Sequence, residues 1–254
     1  MLITSPRHSP ADLAAWERLE KYDRRLAATA RLDRLADHSI TVIDQFAAAG
    51  GGYVSTSWGK DSTVLVDLFA QSDAVTRMPV VWVRLETWEN PDCLLVRDQM
   101  LARHPHLRYE EITTAATSRR WWQDADGHQD SARSTRGGFA QAEKKFGRRH
   151  ISGVRAEESR IRAMVHARWG EAGPYACRPI SVWEATDVFA HLYKHDLPVH
   201  PAYGCSFGGQ LDRRWLRVSA LGGTRGSDKS RAEWEQHYYP EIVGPDAPAR
   251  KAHP

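Results

Sequence analysis

Hydrophobic positions switch between two periods along the chain. Leu13, Trp16, Leu19 and Tyr22 recur at helical spacing, as do Ile40, Val42, Ile43 and Phe46, which predicts helix over residues 11–49. Gly50, Gly51 and Gly52 end that region. Residues 53–56 then predict a short apolar strand, and residues 64–69 the apolar face of a helix. Residues 79–85 (PVVWVRL) are rich in β-branched side chains and predict a second strand. A helix over 92–103 and a third strand over 107–112 follow. Residues 113–147 are polar, contain Gly127, Gly137 and Gly138, and run into the basic stretch 144–150; they predict loop plus helix around a ligand. Residues 149–154 (RHISGV) predict another strand, with a helix starting near Glu157 and a further one over 183–195. The last 50 residues show little periodicity. Alternating strands and helices imply an α/β fold: an open, mostly parallel sheet with helices on both faces. The simplest division is one α/β domain over residues 1–205, N-terminal helices included, with a C-terminal extension over 206–254 packed on it.

Composition narrows this picture. With 254 residues and 41% hydrophobic content the chain can bury one sizeable core, and 26% charged residues mark it as globular rather than disordered. The net charge of +3 suits a phosphate-bearing ligand but is too small to argue for nucleic acid by itself. Three cysteines stand at Cys93, Cys177 and Cys205, an odd number at wide spacings. That pattern excludes a disulfide framework and a four-cysteine zinc or iron–sulfur site built from one chain, so no iron–sulfur cluster is expected. The opening MLITSPRHSP lacks the charged-then-apolar layout of a signal segment, and no apolar run approaches membrane length. The expectation is a soluble cytoplasmic protein with no membrane partner.

The chemistry concentrates in YVSTSWGKDSTVLVDLF, residues 53–69. A strand running through a short polar loop into a helix aims backbone N–H groups at one spot, and the helix N-terminus adds positive partial charge. Gly59 permits close approach of an anion. Ser55, Thr56, Ser57 and Ser62 offer hydroxyls, Trp58 and Gly59 lie within the loop, and Lys60 brings a full charge. The set suits a pyrophosphate. The spacing is not G-x-x-x-x-G-K-[ST], so the loop is not the usual P-loop.

The loop resembles the S-G-G-K-D-S signature of the PP-loop ATP pyrophosphatases, the adenine nucleotide α-hydrolases. Residues 153–160 (GVRAEESR) resemble the G-x-R-x-x-E-S-R segment of the PAPS reductase-like branch, which implies phosphate contacts for Gly153, Arg155 and Arg160. Glu157 and Arg162 suit a solvated helix face instead. Residues 178–204 (RPISVWEATDVFAHLYKHDLPVHPAYG) resemble that branch's R-P-L-x-x-W-x-x-x-D-V-W stretch and its L-P-x-x-P-L-Y exit. There Trp183, Val188, Phe189 and Leu192 suit the inner face of a helix, Asp187 a cap or ion pair, and Tyr203 a contact to substrate. The resemblance covers roughly residues 40–205 and implies a Rossmann-like fold of the HUP type.

Two departures matter. Sulfonucleotide reductases of that branch generally lose the Lys-Asp pair of the loop, whereas Lys60 and Asp61 are both present here. They also use a cysteine in an E-C-G-x-H-like motif near the C-terminus; nothing here matches it, and Cys205 is either a redox thiol or an ordinary loop cysteine. The branch's D-T-G is Leu85-Glu86-Thr87, where Glu86 either reaches a ribose hydroxyl or ends the strand. The resemblance therefore implies cleavage of ATP to AMP and pyrophosphate, with Lys60, Asp61 and Ser57 catalytic and Mg²⁺ contacted by Asp61. Adenylation of an acceptor for sulfur transfer would follow, as in DNA backbone phosphorothioation, with a cysteine desulfurase and DNA as partners. A PAPS or APS reductase, a sulfate adenylyltransferase-type enzyme and a non-catalytic nucleotide sensor are the alternatives. If the acceptor is nucleic acid, basic residues among Lys144, Lys145, Arg148, Arg149, Arg213, Arg214, Arg217 and Arg225 would line a groove to the site.

Overall fold

A computed structural model describes residues 1–86, 88–114, 135–221 and 229–243. Helix α1 (Pro10–Ala27) starts on a reciprocal cap: the Ser9 hydroxyl accepts the Asp12 N–H at 3.1 Å, the Asp12 carboxylate accepts the Ser9 N–H at 3.1 Å, and Pro10 fills the first helical position. The expected single helical region is two helices. Thr29 adopts extended backbone, its hydroxyl donates back to the Leu26 carbonyl at 2.7 Å, and α2 (Ala30–Ala48) starts afresh.

Five strands follow: β1 (Tyr53–Thr56), β2 (Val80–Leu85), β3 (Tyr109–Thr114), β4 (His150–Ser152) and β5 (Ala176–Cys177). All pair in parallel, in the order β3-β2-β1-β4-β5. The third strand lies two residues later than its apolar pattern suggested, and β5 is too short to show any periodicity. The crossovers carry α3 (Lys60–Ala70), α4 (Cys93–Arg103), α5 (Thr135–Phe146) and α6 (Arg160–Trp169); a 3₁₀ turn at Ala156–Glu158 precedes α6 where helix was expected from Glu157. Residues 115–134, the core of the stretch expected around a ligand, lie outside the described residues.

The period of two decides what each face buries. Val54, Val80, Trp82 and Ile151 point into the main core with α2, α3 and α4. Tyr53 and Val81 point to the other face, where Ala142 of α5 and the half-buried Val83, Ile112 and Phe146 cover them. Helix α7 (Ala185–Lys194) packs along α1, with Trp16 and Phe189 edge to face at 6.0 Å. Asp187 does both jobs expected of it: it accepts the Glu184 N–H at 2.9 Å and pairs with Arg31 of α2.

The C-terminal stretch is more regular than its composition suggested. Helix α8 (Lys229–Tyr238) and a short α9 (Pro240–Val243) place Trp234, Tyr239 and Ile242 in the main core. Asp12 fastens this stretch to α1 by accepting hydrogen bonds from the Ser206 and Gly208 amides and the Tyr238 hydroxyl. Burial raises that carboxyl, but these bonds and the Ser9 bonds outweigh it and bring it down to about 2. Among the described residues no helix is long and apolar enough to cross a membrane.

Candidate active site

In the strand order, β1 is where the chain reverses its direction of travel: β2 and β3 are added on one side, β4 and β5 on the other. Such a switch point leaves a crevice outside the carboxyl ends of the strands. The cleft lies there, between the ends of β1 (Ser55, Thr56) and β4 (Ser152, Gly153), with a volume of about 390 Å³, within the range typical of small-molecule sites. Its floor is the loop from Ser57 to Ser62. One part of the wall is apolar, from Val83 of β2 and Phe139 of α5; another comes from the C-terminal stretch, residues 214–219.

The loop is shaped by its own hydroxyls. Thr56 Oγ1 accepts the Trp58 N–H at 3.3 Å, and Ser62 Oγ accepts the Ser57 N–H at 3.2 Å while donating to the Gly59 carbonyl at 3.0 Å. Ser57 is exposed, with Ser62 Oγ 3.4 Å from its own hydroxyl. The first intrahelical bond of α3 runs from the Thr63 N–H to the Gly59 carbonyl, so the amides of Lys60, Asp61 and Ser62 have no partner within the helix. The Tyr203 hydroxyl takes the Lys60 amide at 2.9 Å. Burial, with the nearby Asp61 charge, pushes the Tyr203 hydroxyl well above its ordinary value and keeps it neutral.

Trp58 does not face the cleft. Its φ of 58° is the left-handed backbone that glycine normally supplies, and this explains the glycine of the S-G-G-K-D-S pattern. A bulky residue there costs roughly 1–2 kcal/mol. Complete burial of the indole, edge to face with Trp82 at 6.5 Å and tilted against Tyr109 at 5.7 Å, offsets that cost. The side chain expected at the nucleotide is thus a core residue, and only its backbone belongs to the loop.

Lys60 is buried at the cleft, 2.9 Å from Asp61 Oδ2 and 5.3 Å from the Tyr203 ring centroid. The other Asp61 oxygen accepts from Arg155 Nε at 2.6 Å. Both carboxylate oxygens are therefore taken by cations. Among the described residues no group of three His, Cys, Asp or Glu side chains could hold a metal ion. Asp61, expected to contact Mg²⁺, thus has both carboxylate oxygens in ion pairs.

Arg155 lies below the loop rather than in the cleft. Its side chain is fully buried, bonded to Asp61 and to Glu157, and Nη2 has no partner among the described residues. Glu157 in turn accepts the Ala185 N–H at 2.8 Å, so it is a tether while it stays partly exposed to solvent. Arg160 is exposed and away from the cleft lining, whereas Arg162, expected on a solvated face, lines the cleft paired with Glu158. Gly153 is required by packing: a Cβ there would lie 2.9 Å from the Asp61 carbonyl carbon and oxygen. At Gly59 a Cβ would stand 3.1 Å from both the Tyr203 hydroxyl and Val218 Cγ2, so the three motifs close on one another around the loop. Glu86 is exposed at the end of β2 and outside the cleft lining; Thr87 lies outside the described residues.

The basic residues divide sharply. Arg149 abuts the start of β4, and Lys144, Lys145 and Arg148 precede it, so all four lie at the amino ends of the strands, away from the cleft. Arg149 donates to the Phe46 and Pro174 carbonyls. Arg213 is buried on Asp23 at 2.5 Å and stacks over Phe189 at 3.9 Å. Arg225 lies outside the described residues. Only Arg214 and Arg217 of the expected set line the cleft.

All three cysteines are buried. Burial pushes the thiols of Cys93, Cys177 and Cys205 up, that of Cys177 to about 12. Cys205 donates to the Pro201 carbonyl at 3.7 Å, while its own carbonyl accepts from Trp234 Nε1. It is an ordinary packed cysteine.

Residues 52–208 match the model of the phosphoadenosine phosphosulfate reductase domain. The chain belongs to that family. It is also similar to a phosphoadenosine 5'-phosphosulfate reductase of Synechococcus sp. (strain ATCC 27144 / PCC 6301 / SAUG 1402/1), at 28% identity over 182 residues, 67% of this chain and 78% of the relative. Membership makes this an enzyme of a nucleotide-handling family with sulfonucleotide-related chemistry, and it agrees with the all-parallel, Rossmann-like sheet. The family match spans the loop, Gly153 and Tyr203; Arg214, Trp215 and Arg217 lie beyond it.

Proposed function

We propose that this chain is an ATP pyrophosphatase that adenylates an acceptor for sulfur transfer. The observation that carries this reading is the intact Lys60–Asp61 pair at the first turn of α3, with the Lys60 ammonium held at the cleft floor beside exposed Ser57. A fixed cation, the amides of an α-helix N-terminus and a serine hydroxyl are what a departing pyrophosphate needs. An oxygen of the acceptor attacks the α-phosphorus of ATP, the bond from that phosphorus to the bridging oxygen breaks, and pyrophosphate leaves with the electron pair. The acceptor then carries AMP through a bridging oxygen, as a mixed phosphoric anhydride when the acceptor is a phosphate; a sulfur nucleophile attacks the acceptor's own phosphorus and AMP leaves with that oxygen. Asp61 positions Lys60 and Arg155 rather than taking a proton, because both of its oxygens are ion-paired.

The sugar–phosphate backbone of DNA is the acceptor this reading favours, with a cysteine desulfurase as sulfur source. The test is product analysis: purified protein with α-labelled and γ-labelled ATP, resolving AMP and pyrophosphate from ADP and phosphate. AMP and pyrophosphate are expected; ADP and phosphate would end the proposal.

A second reading, sulfonucleotide reduction, is favoured by the family and by the name of the Synechococcus relative. It needs a reactive thiolate, and the burial of all three cysteines speaks against one in this chain. Sulfite release from PAPS or APS, lost in Cys205→Ser, would establish it instead.

A further inference from the structure

The segment from Asp212 to Ser219 alternates between anchoring and display. Arg213 is buried on Asp23, Leu216 is buried, and Val218 is buried in contact distance of the position a Gly59 side chain would occupy. Between these anchors, Arg214, Trp215 and Arg217 are exposed, and all three line the cleft. Trp215 keeps 59% of its surface exposed, although the side chains on either side of it are bonded or buried. Arg214 is held by Asp212, with Nε at 2.8 Å from Oδ2, and the Arg217 carbonyl accepts from Arg231. The Arg214 guanidinium and the backbone at Arg217 are therefore held before any ligand arrives.

An indole face flanked by two guanidiniums has a specific chemical complement: a planar base for the ring and phosphate oxygens for the arginines. The cleft lining carries Lys60, Arg162, Arg214 and Arg217 against Asp61 and Glu158, with Arg214 paired to Asp212 outside the lining; the remaining excess of positive charge favours an anionic guest. We propose that Trp215, Arg214 and Arg217 form a platform for a nucleotide unit of the second substrate, with the base stacked on Trp215 and the phosphate between the arginines. This deepens the adenylyl-transfer reading and rests on it: the platform holds the acceptor beside the loop that holds ATP. The nucleotide unit is either free or part of a single strand.

The test is fluorescence anisotropy of a labelled oligothymidylate with the full chain, at about 50 and 200 mM salt, against Trp215→Ala, Trp215→Phe and the double charge reversal Arg214→Glu/Arg217→Glu. Trp215→Ala is expected to weaken binding by about 5-fold to 100-fold, and Trp215→Phe to recover most of it, because a stacked base needs a ring and not a particular one. The double reversal is expected to flatten the salt dependence by about 0.7 in log–log slope, the share of one neutralised phosphate on a single strand. Unlabelled thymidine monophosphate competing as well as an equal concentration of oligonucleotide assigns the platform to a free nucleotide. Its failure to compete assigns the platform to a strand. Absence of binding at low salt of both the oligonucleotide and labelled thymidine monophosphate, or equal binding by wild type and Trp215→Ala, overturns the proposal. Trp215-dependent binding together with ADP as the product of ATP turnover would remove the adenylyl-transfer reading and leave the platform standing.

Discussion

Replacing Arg155 by Met separates two accounts of the second motif. Arg155→Met keeps the length of the side chain and removes the charge that holds Asp61 and Glu157 together under the loop. Removing one partner of a buried ion pair typically costs about 3–5 kcal/mol, because the other charge is left uncompensated. The carboxylates left behind keep 17% and 32% of their side-chain exposure, so water reaches them and the low end, about 3 kcal/mol, applies. For 254 residues, an unfolding entropy of about 2.1 cal/mol/K per residue gives about 530 cal/mol/K, or close to 2 °C per kcal/mol. The ligand-free variant is therefore expected to melt about 6 °C below wild type. Calorimetry or a urea titration reads this without nucleotide, and a cycle with Asp61→Asn should show coupling of about 1 kcal/mol or more. A residue whose task is to grip phosphate predicts the reverse pattern: unchanged melting and weakened ATP binding. Melting within about 1 °C of wild type would refute the tether assigned to Arg155.

Lys60→Ala should lower AMP formation by about 10²-fold or more, since a fixed charge at a developing anion is commonly worth that much; steady-state turnover of the folded variant checks it. Gly153→Ala drives a Cβ against the Asp61 backbone, so it should cost about 1–3 kcal/mol in urea unfolding and raise KM for ATP together. Glu89 is buried and hydrogen-bonded to Ser219, and burial pushes its carboxyl up to about 7. Its neutral form stabilises the fold fully below the ordinary carboxyl value of 4.5, and that contribution is lost as pH rises through about 7. Glu89→Gln stays neutral, so its stability relative to wild type should rise by up to about 3 kcal/mol between pH 4.5 and pH 8, measured by paired unfolding titrations.

Much of the fold was legible because it rests on local periodicity. The loop between β1 and α3 showed itself through residue chemistry that needs no partner: small hydroxyls, a glycine and a lysine before an apolar helix face. What the sequence hid depends on contacts far along the chain. Arg155 meets Asp61 across 94 positions, and nothing local distinguishes a guanidinium aimed at a phosphate from one aimed at a carboxylate. Trp58 carried no visible sign of its left-handed backbone, although the glycine it replaces was the available clue. Arg213 and Arg214 are neighbours with the same side chain, yet one is buried and the other faces the cleft. Only the in-and-out alternation of Arg213, Leu216 and Val218 would have suggested as much. Strand β5 and the C-terminal helices stayed hidden because two residues cannot show a period and α8 is polar over most of its length.

The indole of Trp58 joins two things that proteins of this architecture can keep apart. Its backbone is part of the anion loop and its ring is a wall of the interior, so the loop is anchored to the core at that residue. A change at Trp82 or Tyr109, neither of which lines the cleft, alters the seat of that ring and hence the torsion angle that points the loop amides. Repacking the interior and retuning the anion site are, in this protein, one and the same operation.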